Sequence, residues 1–77
     1  MTTVMKYNHT TKQDEKFVTK VGDYVSFKAD IEQTGKVMKI YRSEYTRQDT
    51  LDIMYKSDDE SEQECFTSEL AKDCWVE

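Results

Sequence analysis

Proline is absent from this chain, and in 77 residues glycine occurs twice, cysteine twice and histidine once. Each scarcity removes a class of chemistry. Gly22 and Gly35 stand alone, so there is no glycine-rich loop to wrap a phosphate. His9 lies in a polar segment and reads as solvent-exposed, which leaves nothing to complete a Ser-His-Asp or Cys-His arrangement. A metal centre needs about four ligands, and His9 is the one imidazole on offer, so neither a metal nor another cofactor is expected. Cys65 and Cys74 are too few for a disulfide framework and read as reduced, half-buried thiols. No apolar run approaches the roughly 20 residues that cross a bilayer. The opening MTTVMKYNHTTKQDEK has no apolar centre of the kind a secretory leader needs. The expected location is cytoplasmic, with no membrane partner, no catalytic residues and no enzyme activity.

What is present in quantity is charge. Charged residues make up 35% of the chain and hydrophobic ones 36%, with aromatics at 12%, enough to seed a core. A chain this short makes one domain and buries only about 60% of its unfolded surface. The net charge of −5 is unevenly placed: residues 1–48 carry nine cations and six acids, residues 49–77 two cations and ten acids. Net acidity disfavours nonspecific binding to nucleic acid, which depends on neutralising phosphates.

Along the chain, residues 1–16 read as a flexible arm, or as a short strand added to an edge, and residues 17–77 as the folded domain. Val21, Val25 and Phe27 fall on one face of an extended segment that opens with a Gly22-Asp23 turn. Residues 29–35 read as a polar loop, in which Gly35 supplies either a special backbone angle or a close approach. Residues 36–42 form a second strand, in which Val37 and Ile40 both face inward only if a bulge lies between them. A third strand covers residues 50–56, with Leu51, Ile53 and Tyr55 on one face, and a fourth covers residues 63–67 around Cys65 and Phe66. Residues 68–73 suggest one helical turn with a serine cap, and Cys74 to Val76 a last short strand.

The segment GDYVSF, then a loop, then TGKVMKI, resembles the opening of KOW and Tudor-like members of the SH3-like small barrels. The ending FTSELAKDCWVE is similar to their usual finish, a short helical turn leading into the final strand. The resemblance covers residues 17–77 and implies a mostly β fold, a five-stranded SH3-like barrel with one helical turn before the last strand. It also implies a non-enzymatic module that binds nucleic acid, peptides or the surface of a larger machine. In size and charge the chain also resembles accessory proteins of bacteriophages. Departures limit the reading: the proline and aromatic signature of peptide-binding SH3 domains is missing, and nucleic-acid-binding KOW modules are basic.

Three candidate surfaces follow. Tyr24 lies opposite Val25 and reads as exposed; with Tyr41 and Tyr45 it offers aromatics for recognition, beside Arg42 and Arg47. Lys36, Lys39, Arg42 and Arg47, interleaved with tyrosines, are also what a single-stranded nucleic acid would need. Asp58, Asp59 and Glu60 head an acidic hairpin tip suited to a basic partner, or to imitation of nucleic acid before a DNA-binding protein. The expected partner is a larger protein or nucleoprotein machine, with nucleic acid as the alternative. Nothing in the sequence sets the oligomeric state.

Overall fold

The computed structural model describes residues 1–57 and 62–77. Seven strands run in chain order: β1 (Thr2–Asn8), β2 (Gln13–Thr19), β3 (Tyr24–Ala29), β4 (Ile31–Arg42), β5 (Asp49–Lys56), β6 (Glu64–Leu70) and β7 (Trp75–Val76). One 3-10 turn, η1 (Ala71–Asp73), precedes β7. They form a single sheet in the order β2-β1-β7-β3-β4-β5-β6. All pairings are antiparallel except β1 with β7. The strand-rich, nearly helix-free composition agrees with the expectation. The five-stranded closed barrel does not: the sheet has seven strands, and β2 and β6 are left as edges. The turn η1 packs against β1 and β5.

The two additional strands lie where the sequence reading placed an arm. A domain boundary at residues 16/17 falls inside β2. Asn8 organises the connection: its Oδ1 accepts from the amides of Thr10 and Thr11, its Nδ2 donates to Glu15 Oε1, and its carbonyl accepts from Lys12 N. The face of this hairpin that turns Thr2, Val4 and Thr19 inward continues through Lys6 and Asn8 opposite Phe17, Glu15 and Gln13, none of which is buried. Only Val4 joins the core. A row so polar carries no apolar period-two signal, and backbone pairing to β7 makes the strand instead.

The core is Val4, Val25, Phe27, Val37, Leu51, Ile53, Ala71 and Cys74. Val25 and Phe27 face inward as expected, whereas Val21 stays exposed in the turn before β3. That turn is closed by Asp23 N–H donating to the Lys20 carbonyl, and Gly22 takes φ +99°, a region costly for any other residue. The predicted loop at 29–35 is instead strand: β3 and β4 pair from Tyr24↔Lys36 to Ala29↔Ile31, with Asp30 at φ +64° as the bend. Polar Glu32, Gln33 and Thr34 conceal the strand because β4 is here a polar, partly solvated neighbour to β3. The bulge is present. The β4–β5 register shifts between Val37 and Lys39, leaving Met38 as the extra residue, so Val37 is buried and Ile40 also packs on the core. The helical turn is shorter than expected, because β6 continues through Leu70 and no side chain caps η1.

Thr19 is fully buried at the end of β2, and its hydroxyl has no hydrogen-bond partner among the described residues. Its cross-strand neighbour Thr2 instead donates its hydroxyl to Asp49 Oδ2 at 2.6 Å. A buried, unsatisfied hydroxyl destabilises by roughly 1–3 kcal/mol. Thr19→Val keeps the branched shape and removes the hydroxyl, so it is expected to raise stability by about 1 kcal/mol. An upward shift of the denaturant midpoint at unchanged m-value is the expected readout, and a lower midpoint would contradict it.

Candidate functional site

Residues opposed across a ladder share a face of the sheet, so the registers define which side chains stand together. Tyr24 pairs with Lys36, Lys36 with Met54, and Met54 with Phe66. These four form one row across β3, β4, β5 and β6 on the face turned away from the core. At about 4.8 Å per strand the row spans roughly 14 Å. Its ends are the most open parts: Tyr24 is 65% exposed and Phe66 68%. A second row, Lys39–Asp52–Ser68, lies beside it, followed by Tyr41–Thr50–Leu70. Asp52 Oδ1 accepts from Ser68 Oγ at 2.6 Å and from the Tyr41 hydroxyl at 3.2 Å, while Lys39 Nζ stands 5.2 Å from the Tyr41 ring centre. Tyr41 is thereby held half-buried in place.

The bulge decides this arrangement. Without it, Lys36 and Met38 would share one face, with Lys39 and Tyr41 on the other. The register shift puts Lys36, Lys39 and Tyr41 on the same side. Tyr24 stands there too, exposed as its position opposite Val25 suggested. Tyr45 is 99% exposed in the β4–β5 connection, apart from both rows. Asp58, Asp59 and Glu60 lie outside the described residues. Met54 and Phe66 are not among the residues the sequence singles out for recognition. The available signal was Tyr55: with Tyr55 inward and paired to Cys65, Phe66 must point out.

Arg42 and Arg47 are turned elsewhere, so the four cations proposed for nucleic acid are split two and two. Arg42 pairs with Asp49 on the core-side face and lines a cleft of about 450 Å³ beside the start of β1. Arg47, Lys16 and Lys72 line the same cleft. Lys16 comes from β2 and Lys72 from η1, and no sequence spacing connects either with the two arginines.

Neither thiol is bonded to the other; Cys65 is half-buried and Cys74 buried. Burial, reinforced by Glu69 and Asp73, pushes the Cys74 thiol up to about 12, and its Sγ donates to the Leu70 carbonyl at 3.4 Å. Such a thiol is inert. An unfolded chain releases this proton near pH 9, whereas the folded one holds it to about pH 12. Across that window the unfolded state binds fewer protons, so stability falls as pH rises, and below pH 9 the contribution is flat. Urea midpoints measured upward from pH 8 are expected to fall less steeply in Cys74→Ala than in the parent. Equal slopes would remove Cys74 as a source of the alkaline loss.

Among the described residues no group of three or more His, Cys, Asp or Glu is placed to hold a metal ion, and no helix is long and apolar enough to cross a membrane. Neither protein-family models, curated proteins nor solved structures yield a match to this chain.

Proposed function

We propose that this domain is a non-enzymatic interaction module that docks on a larger protein through the outer face of β3–β6. The observation that carries the reading is the row Tyr24–Lys36–Met54–Phe66, which holds two large aromatic side chains in water on a paired, four-strand platform. Aromatics and methionine are enriched where proteins bind proteins, and exposed apolar patches rimmed by polar groups mark such sites. Lys36 and Lys39 at the patch favour a partner with an apolar centre and acidic surroundings. A nucleic-acid strand is less well served. Asp52 occupies the middle of the face, Tyr41 is engaged by it, and Arg42 and Arg47 are not there to continue a phosphate track.

The test is site-specific photocrosslinking in nuclease-treated extract of the source cell. A photoreactive residue at position 66 is expected to capture a discrete protein, with capture lost when Tyr24→Ala is added. The same residue at position 9, in the β1–β2 turn, is expected to capture nothing. Equal capture from both positions, or capture abolished by nuclease, would overturn the reading.

A further inference from the structure

We propose that the cleft beside β1 binds a compact ligand carrying two or more phosphoryl groups, a site separate from the outer face. Four elements each contribute one cation to it: Lys16 from β2, Arg42 from the end of β4, Arg47 from the β4–β5 connection and Lys72 from η1. Among the described residues none of these four makes an ion pair within 4.0 Å. The one carboxylate in the cleft, Asp49, is engaged by the Thr2 hydroxyl at 2.6 Å. Four cations against that carboxylate leave a local charge of +3. Two phosphoryl groups at roughly −1.5 to −2 each match it.

The cleft's volume of about 450 Å³ falls within the range of small-molecule sites. Arginine forks suit phosphate oxygens in geometry as well as charge. The backbone of Arg47 is also fixed before any ligand arrives. Its backbone N–H donates to the Ser43 carbonyl at 2.8 Å, Gln48 O accepts from Ser43 N at 3.0 Å, and Ser43 Oγ accepts from the amides of Tyr45 and Thr46. This closed turn sets Arg47 at φ +57°, a conformation glycine would adopt at no cost. A compact ligand is favoured over an extended strand because the remainder of the chain carries −8, which repels phosphates beyond the cleft.

Calorimetric titration of the full chain at low ionic strength tests this, with diphosphate, inorganic phosphate and a single-stranded thymidylate 10-mer as probes. Diphosphate is expected to bind, with inorganic phosphate about tenfold weaker. Arg47→Gly is expected to weaken diphosphate about tenfold, since a charged hydrogen bond is lost, while the melting temperature holds or rises. Lys72→Ala, on the exposed end of η1, repeats the test without touching the turn, and Lys36→Ala on the outer face is expected to leave diphosphate binding unchanged. No diphosphate binding, or binding indifferent to both Arg47→Gly and Lys72→Ala, would overturn the proposal. So would a 10-mer that binds more tightly than diphosphate, since the cleft would then be part of a strand-binding track.

Discussion

Gly35→Ala is expected to destabilise the domain by about 3 kcal/mol, the upper end of what an overpacked core position costs. A Cβ at this position would stand 2.5 Å from Ile53 Cγ2, 2.6 Å from the Met54 carbonyl oxygen and 3.1 Å from Tyr55 Cβ. The first and third atoms belong to side chains packed in or against the core, and the second is backbone of β5, so relief requires moving the β4–β5 ladder itself. A 77-residue domain has a total stability of roughly 4–12 kcal/mol, so a loss of this size is a large fraction of the whole. The melting temperature is expected to drop by about 12–24 °C. Gly22→Ala supplies the contrast. There the added Cβ meets no atom within 4 Å, and the cost, about 1–2 kcal/mol, comes from φ +99° alone. Thermal melts of both variants check the ordering; a Gly35→Ala protein that melts with the parent would show that β4 and β5 do not approach so closely.

Phe27→Ala should be comparably severe, at about 3–5 kcal/mol. Phe27 exposes none of its surface, and its ring meets that of Tyr55 edge-on at 5.2 Å. Truncation leaves a void among Val25, Val37, Leu51 and Ile53, which are themselves fixed in paired strands and collapse poorly into it. The same truncation at Phe66 separates core from surface. With Phe66 68% exposed, Phe66→Ala is expected to change stability by no more than about 0.5 kcal/mol. Denaturant midpoints of the two variants, measured side by side, decide the matter. A Phe66→Ala protein as damaged as Phe27→Ala would mean that Phe66 supports the fold and is not a free recognition group. Retained stability in Phe66→Ala is also what makes it usable in binding experiments.

Residues 24–28 and 36–56 were the most legible parts of the chain. Inward alternation at Val25 and Phe27, and at Leu51, Ile53 and Tyr55, marked β3 and β5, because each of those strands has one face on the core. The spacing of Val37 and Ile40 called for a bulge, and the bulge is there. Gly35 read as a close approach or a special angle, and it is the close approach that the fold uses. The two strands β1 and β2 were legible only as the alternative of one short strand added to an edge. Their inward row is mostly polar and their stability comes from backbone pairing, including a parallel contact between the two ends of the chain. The closed five-stranded barrel failed for the same reason: pairing between β1 and β7 inserts the N-terminal hairpin into the sheet and leaves open edges.

For the candidate sites the division is similar. The exposure of Tyr24 followed from its neighbour Val25 being buried, a local argument that needs only the alternation of a strand. The company Tyr24 keeps did not follow. Lys36 joins it only through the β3–β4 register, Met54 and Phe66 only through the two ladders beyond, and the union of Lys36, Lys39 and Tyr41 on one face depends on a single extra residue, Met38. The basic cleft lies further still from local reading, since Lys16, Arg42, Arg47 and Lys72 come from four separate elements. The sequence by itself determined the β-rich class and the inward residues of β3 and β5, and made a bulge the condition for Val37 and Ile40 to face inward together, because each rests on residue type or on spacing along one strand. Which strands pair, which charges converge and which aromatics stand side by side were decided only in the tertiary structure, because hydrogen-bond registers between distant segments carry no period that a single chain can display.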